Sequence, residues 1–166
     1  MELYFLRHGD AENNFPDSQR QLSDQGRQQV IEQAKRHRQR LATLESVITS
    51  PLIRAYQTAE LVMSQASIQC RPQITDCLLP NAQIAGVEQL LENNNSQRIL
   101  LVGHLPLLDQ LINYFVGDSV ARMATASLAS LSMNHAYRGL ATLNWIHHAN
   151  WICTASHLWI QRGSAR

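Results

Sequence analysis

The sequence lacks the bulk features that mark nucleic-acid-binding, membrane and disulfide-rich proteins. Its 166 residues carry a net charge of only +1, so the overall charge predicts neither nucleic acid nor an anionic membrane as a partner. No apolar run approaches membrane-spanning length, and the apolar start is too short for the core of a secretion signal. Its three cysteines, Cys70, Cys77 and Cys153, form no CxxC pair. Together these absences predict a globular protein of the reducing cytoplasm.

Motifs of other phosphate-handling and metal-dependent enzymes are also missing. There is no GxxxxGK[ST] segment, which excludes a P-loop enzyme. None of the three cysteines is followed six positions later by arginine, which excludes the CxxxxxR loop of a cysteine-nucleophile phosphatase. His147, His148 and His157 have no recognised zinc-binding spacing. We therefore expect neither a metal nor a cofactor, and the sequence assigns these three histidines no role.

Apolar runs typical of buried strands alternate with helical patterns along the chain. Strands are predicted at residues 2–6, 46–49 and 98–102, with an extended piece at 68–71 and two alternating segments at 127–133 and 140–146. Helices are predicted between them, including one at 84–91. This order predicts an α/β fold with a mainly parallel, partly mixed sheet covered by helices on both faces.

Three of the predicted helices have local start signals. Ser23 can cap a helix whose apolar stripe extends to Leu44. Ser50-Pro51 combines a capping serine with proline at the first helical position. Pro106 opens a helix over 107–116 that a glycine closes at position 117. His37 lies beside the stripe of the first helix, and we expect it to pack in the core.

Cationic and reactive side chains directly follow three predicted strands. Arg7-His8-Gly9 comes after the first strand, Arg54 lies in the first turn of the helix after the second, and His104 follows the third. The carboxyl ends of parallel strands share one sheet edge, where ligands bind. Guanidinium groups suit phosphate oxygens, and helix starts attract anions. The sequence therefore predicts one phosphate site at these strand ends, with Gly9 allowing a ligand close to the backbone.

His8 is the candidate nucleophile of this site. A histidine nucleophile forms a phosphoenzyme and divides one displacement into two. It needs a neutral ring nitrogen, so we expect its other nitrogen to donate to a backbone carbonyl. Arg7 and Arg54 disfavour a further cation and help to keep His8 neutral. With a protonated His104, they would spread charge over the oxygens of the transferring phosphoryl group.

The segments RHGDAE, TSPLIRAYQT and LLVGHLP together resemble the signature of the histidine phosphatase superfamily, also called phosphoglycerate-mutase-like. The RHGDA form, the small size and ATLNW near the end are most similar to its SixA-type phosphohistidine phosphatase branch. The resemblance implies a three-layer α/β/α fold in one domain, residues 1–166. It also implies that His8 is phosphorylated during turnover, with Arg7, Arg54 and His104 as its phosphate-binding companions.

The general acid is where the chain departs from this resemblance. Many superfamily members use a mid-chain glutamate to protonate an alcohol leaving group. The corresponding residues 75–80 offer only Asp76, with Cys77 as the other match, and Asp10 is a second carboxylate candidate. Asp76 could equally be an exposed loop residue. Asn14 falls where some relatives have a phosphate-contacting asparagine, although a polar loop residue is the alternative interpretation.

Three functional hypotheses follow. The favoured one is a phosphohistidine phosphatase acting on a phosphorylated protein, such as a histidine-containing phosphotransfer domain, because imidazole leaves without strong acid catalysis. The second is a small-molecule phosphomonoesterase or mutase, which needs a working acid such as Asp76. The third is a non-catalytic phosphate-binding module. It would be expected to have lost a catalytic histidine or arginine, and all four are present.

Overall fold

The computed structural model describes residues 1–119 and 122–149, and in them a six-stranded sheet forms the centre of the molecule. The strands are β1 (Glu2–Arg7), β2 (Ser46–Thr49), β3 (Gln73–Ile74), β4 (Arg98–Gly103), β5 (Leu128–Ser132) and β6 (Thr142–His147). Their order across the sheet is β3-β2-β4-β1-β5-β6. Strands β3, β2, β4 and β1 run parallel to one another, and β5 runs antiparallel to both of its neighbours, β1 and β6. The predicted mixed sheet is therefore confirmed.

In the described part of the chain, five α-helices cover the two faces of this sheet. They are α1 (Asp24–Arg36), α2 (Arg38–Leu41), α3 (Ile53–Ala66), α4 (Ile84–Glu92) and α5 (Leu107–Val116). Side chains alternate along β1, so Tyr4 and Leu6 pack on α1, α2 and α3, whereas Leu3 and Phe5 pack on α4 and α5. The three-layer α/β/α fold is confirmed. Among the described residues, no helix is both long and apolar enough to cross a bilayer.

The register of the parallel strands aligns the ends that carry the candidate site. Arg7 pairs with Gly103, and Thr49 pairs with Val102, so β1, β2 and β4 end at the same level. Two backbone hydrogen bonds continue this alignment beyond the strands. The His8 amide donates to the Gly103 carbonyl at 3.1 Å, and the Ser50 amide donates to the Val102 carbonyl at 3.0 Å. The segments that follow these strands are therefore held side by side.

Three local predictions are wrong in position. The helix expected to start at Ser50-Pro51 begins at Ile53, and Leu52 is its N-cap residue. The helix capped by Ser23 ends at Arg36, and a separate short helix follows His37. The extended piece expected at 68–71 lies further along, where β3 pairs with the end of β2.

Some sequence predictions fall outside the described residues. Cys153 and His157 are among them, so the expectation that His157 takes no part in a metal site stays a prediction. The assignment of residues 1–166 to a single domain also stays a prediction.

Candidate active site

The structure brings Arg7, His8, Arg54 and His104 together at the carboxyl edge of the parallel strands. The ring centroids of His8 and His104 are 4.9 Å apart, with the planes tilted by 52°. The positive charges of Arg54 and Arg7 act on both rings and lower the pKa of each. Four residues from three separate segments thus share one electrostatic environment, as the strand-end argument predicts.

His8 is held as a neutral imidazole with one defined tautomer. Its Nδ1 lies 2.7 Å from the Gly9 carbonyl oxygen, and because a carbonyl can only accept, Nδ1 carries the proton. Nε2 is therefore unprotonated in the neutral ring, and it has no hydrogen-bond partner among the described residues. Burial lowers the pKa of His8 to about 4, and Arg54 and Arg7 act in the same direction against the Gly9 hydrogen bond. At neutral pH the ring is a ready nucleophile.

His104 is buried beside His8, with 2% of its surface exposed. Its Nε2 lies 2.8 Å from the Ser50 hydroxyl oxygen, which also accepts a hydrogen bond from the Leu52 amide at 3.3 Å. Burial, His8 and Arg54 lower the pKa of His104 to about 3. The free protein therefore holds this ring neutral, and the charged ring expected from the sequence requires a bound anion to raise its pKa.

Arg54 is fixed in the first turn of α3 by a residue that the sequence analysis missed. Its Nη1 donates to the Asp17 carbonyl at 2.9 Å, and its Nη2 donates to the Asp17 carboxylate at 3.0 Å. The Asp17 carboxylate also accepts from Arg20 at 3.1 Å. The hydrogen bond from Arg20 is the main cause that lowers the pKa of Asp17, and Arg54 acts in the same direction. Asp17 is exposed, lies 37 positions before Arg54 and belongs to no motif, so no sequence signal identified it.

Arg7 leaves the end of β1 and donates from Nη1 to the Met123 carbonyl at 3.0 Å. Burial lowers the pKa of its guanidinium, and the charge of Asp109 opposes this effect. The guanidinium stays charged at any ordinary pH.

Three buried nitrogens around His8 have no hydrogen-bond partner among the described residues. They are Nε of Arg7, Nε of Arg54 and Nδ1 of His104. Leaving buried donors unpaired costs roughly 1–3 kcal/mol each, and more for charged groups. A tetrahedral anion seated against His8 would accept hydrogen bonds from the Nε groups of Arg7 and Arg54. This arrangement can bind a phosphoryl group and place it against a neutral nucleophile.

Gly9 is required by packing against α1 as well as by its position next to His8. A Cβ on Gly9 would lie 2.6 Å from the Gly26 carbonyl oxygen and 3.0 Å from a methyl group of Val30. The Gly9 amide donates to the Thr58 hydroxyl at 3.3 Å, and its carbonyl accepts from His8. Both backbone groups are thus engaged within the protein, and the role of Gly9 in phosphate binding stays a prediction.

The other candidates make no hydrogen bond to the four central side chains. Asn14 is exposed and donates to the Glu12 carboxylate at 3.0 Å. Asp76 is exposed in the short 3-10 turn that follows β3. The Asp10 carboxylate accepts from the Ser23 hydroxyl at 2.6 Å, which ties the loop after β1 to the start of α1. The roles predicted for Asn14 and Asp76 stay predictions.

Two of the remaining histidines are engaged in packing at the end of β6. Nδ1 of His147 lies 3.2 Å from Nε2 of His37, and Nδ1 of His148 lies 2.8 Å from the Ser127 hydroxyl. The expectation that His37 packs in the core is confirmed, because it is 2% exposed. Within residues 1–119 and 122–149, no three side chains of His, Cys, Asp or Glu are grouped so as to hold a metal ion.

Known proteins resemble this chain both in sequence and in fold. The sequence profile of the histidine phosphatase superfamily (branch 1) matches residues 3–78. Phosphohistidine phosphatase SixA of Escherichia coli is 28% identical over 150 residues, covering 87% of this chain and 92% of that protein. An uncharacterised protein of Picosynechococcus is 34% identical over 116 residues, covering 66% of this chain and 70% of that protein.

Solved structures give the same result. The protein histidine phosphatase SixA in complex with tungstate superimposes with a TM-score of 0.83 at 27% identity. That match covers 90% of this chain and 97% of the SixA chain. Tungstate is a tetrahedral oxyanion, and the related structure contains it.

Proposed function

Because the chain belongs to the histidine phosphatase superfamily, as a SixA-type hydrolase that uses a histidine nucleophile, we propose that it hydrolyses protein phosphohistidine with His8 as that nucleophile. Arg7, Arg54 and His104 bind the phosphoryl group in this proposal. The substrate is a folded protein phosphorylated on histidine, such as a histidine-containing phosphotransfer domain, in the cytoplasm.

The observation that carries the proposal is the state of the His8 ring. Its Nδ1 proton is committed to the Gly9 carbonyl, its pKa is about 4, and it lies against His104 and within the field of two arginines. A neutral nitrogen surrounded by cationic donors fits attack on an anionic phosphoryl group.

The reaction then proceeds in two displacements. Nε2 of His8 attacks phosphorus while the bond from phosphorus to the substrate's ring nitrogen breaks, and the substrate histidine takes that electron pair. If the other ring nitrogen of the substrate is protonated, the leaving group is a neutral imidazole. Water then attacks phosphorus and gives up a proton to solvent. The bond from phosphorus to Nε2 of His8 breaks, its electron pair returns to Nε2, and phosphate leaves. His8 returns to its neutral form.

The leaving group decides between the two enzymatic hypotheses. An alkoxide needs a proton from an acid, whereas a neutral imidazole does not. Asp76, the acid candidate, is exposed and makes no hydrogen bond to His8, Arg7, Arg54 or His104. This position supports phosphohistidine over a sugar phosphate, and the name of the Escherichia coli relative supports the same substrate class.

A side-by-side rate comparison tests the proposal. Wild-type protein is assayed on a protein phosphorylated on histidine, on a phosphoserine peptide and on a sugar phosphate, with enzyme concentration held constant. We expect kcat/KM to be higher on phosphohistidine by at least about a hundredfold, because only that leaving group departs without an acid. A preference for the sugar phosphate would support the phosphomonoesterase alternative, and no turnover of any substrate would support the binding module.

The Asp76→Asn variant sharpens the same comparison. If Asp76 protonates alcohol leaving groups, its loss should collapse the rate on the sugar phosphate and spare phosphohistidine. An equal loss on both substrates would contradict the leaving-group argument.

A further inference from the structure

Phe15 is the most exposed large hydrophobic side chain among the described residues, at 95%. Single exposed apolar side chains are common on protein surfaces, so exposure alone carries no argument. What distinguishes Phe15 is its position, in the segment that connects β1 to α1 and passes directly beside the candidate active site.

A short chain segment links Phe15 to the catalytic guanidinium. Asp17, two residues further on, binds Arg54 through both its carbonyl and its carboxylate. Two residues of extended chain span at most about 7 Å, so the Cα atom of Phe15 lies within about 7 Å of that of Asp17. Phe15 therefore lies in the chain segment next to the residue that holds Arg54, and its ring is open to solvent.

Hydrogen bonds hold this segment in place. Arg20 Nε donates to the Glu12 carbonyl at 2.6 Å, and Arg20 Nη2 donates to the Ala11 carbonyl at 3.3 Å. The Glu12 amide donates to the Gln21 carbonyl at 2.9 Å. These bonds and the Asp17 contacts fix the backbone at both ends of the segment that carries Phe15, which limits the backbone freedom lost when a partner covers the ring.

We infer that Phe15 is a specificity-determining residue that docks the protein carrying the phosphohistidine, an inference that rests on the proposed function. In the proposed function the phosphoryl group binds against His8, with its imidazole beyond it. A ring that is 95% exposed in the neighbouring segment is covered only by a substrate larger than these two groups, as a folded protein is. The chemistry that fits is an apolar surface patch next to the phosphorylated histidine of that protein.

Leu140 provides a matched control at the other end of the sheet. It is 56% exposed in the connection between β5 and β6. β5 ends at Ser132, which pairs with Glu2 at the start of β1, so this connection lies at the edge opposite the active site. A docked substrate over His8 would leave Leu140 in solvent.

The experiment measures kcat and KM for wild type, Phe15→Ala, Phe15→Leu and Leu140→Ala on two substrates. One is a histidine-containing phosphotransfer protein phosphorylated with phosphoramidate, and the other is N-phosphoimidazole. For Phe15→Ala we expect kcat/KM on the phosphoprotein to fall at least about tenfold, mostly through KM, because an apolar contact of one aromatic ring is lost. Activity on N-phosphoimidazole should stay unchanged, Phe15→Leu should recover part of the loss, and Leu140→Ala should match wild type.

The outcomes separate this inference from the proposed function. If wild type hydrolyses the phosphoprotein and Phe15→Ala does so equally well, the docking role is wrong and the proposed function stands. An equal loss on both substrates would assign Phe15 a structural role and also overturn the inference. If wild type hydrolyses neither the phosphoprotein nor N-phosphoimidazole, the proposed function itself fails. Light scattering that shows a wild-type dimer lost in Phe15→Ala, with unchanged kinetics, would assign the ring to self-association instead.

Discussion

Two pairs of histidines in this molecule look alike by the usual measures. The rings of His8 and His104 are 4.9 Å apart, and those of His37 and His147 are 5.0 Å apart. Burial is the main cause that lowers the pKa of His8 and of His37, in each case to about 4. Ring distance and a lowered pKa therefore do not by themselves identify a catalytic histidine.

The surroundings of the two pairs differ. The His37 ring stacks on Trp145 at 4.8 Å with the planes only 9° apart, and its Nε2 faces His147. Arg40 lies over the face of the same indole, 5.7 Å from its centroid, so its charge is engaged with an aromatic ring. His37 is 2% exposed within this packing, whereas His147 is exposed at the end of β6.

The pair of His8 and His104 lies beside charged guanidinium groups, where the His37 pair has an aromatic ring. His8 is only partly buried, its Nε2 is unprotonated, and Arg7 and Arg54 each present a buried Nε with no partner among the described residues. Burial is the main cause that lowers the pKa of both His8 and His37. An unprotonated Nε2 on a partly exposed ring, beside guanidinium Nε groups without hydrogen-bond partners in the described part of the chain, separates His8 from the packed His37.

The largest test of this comparison replaces one histidine from each pair. His8→Ala should lower phosphohistidine hydrolysis by roughly 10⁴-fold or more, because it removes the nucleophile while β1 stays intact. His37→Gln, the control, should keep kcat within a few-fold of wild type. Steady-state rates of both variants, with folding checked by circular dichroism, give the result.

A trapping experiment accompanies these rates. Brief exposure of wild type to labelled substrate should give an acid-labile, alkali-stable phosphoenzyme, the stability typical of phosphohistidine, and His37→Gln should give the same adduct. Retained turnover in His8→Ala, or an acid-stable adduct in wild type, would contradict the nucleophile assignment.

Replacing Arg54, which lies beside the His8 pair, should have an intermediate effect. Arg54→Ala should lower kcat/KM roughly 10- to 150-fold, because a charge-assisted hydrogen bond contributes about 1.5–3 kcal/mol net. It should also raise the pKa of His8, since the Arg54 charge is one of the causes that depress it. Arg40→Ala, next to the packed pair, should change neither quantity. Steady-state kinetics and an NMR titration of the histidine rings measure both effects, and equal losses in the two variants would count against the comparison.

The parts of the site that could be predicted from sequence follow from rules about sheet edges. Parallel strands end at one edge, so residues placed directly after β1, β2 and β4 had to meet there. The helix α5 was also predictable, because Pro106 at its start and Gly117 at its end, with φ of 82°, are both local signals. In these cases local propensity and tertiary structure agree.

The missed features depend on contacts between distant residues. Ser50 has the local signature of a helix cap, but its hydroxyl is the partner of His104, 54 positions away. Asp17 sits in a loop with no motif and acquires its role only where α3 brings Arg54 to it. The break at His37 occurs where its ring stacks on Trp145, which periodicity within one helix cannot reveal. Local patterns cannot report such partners.

The smallest expected effect tests the lowered pKa that buried histidines of both pairs have in common. His8, His37 and His104 have folded-state pKa values of about 4, 4 and 3, below the unfolded value of 6.5. The unfolded chain therefore binds more protons between these values, so this stabilisation is complete above pH 6.5 and is lost as pH falls towards 4. For His8 and His104, the loss between pH 7 and pH 5 is about 2 kcal/mol each.

Urea unfolding at pH 7 and pH 5 measures this loss of stability. His104→Gln should show about 2 kcal/mol less pH dependence than wild type, and His37→Gln should change in the same direction while keeping its activity. An unchanged slope in both variants would mean that burial does not hold these rings neutral.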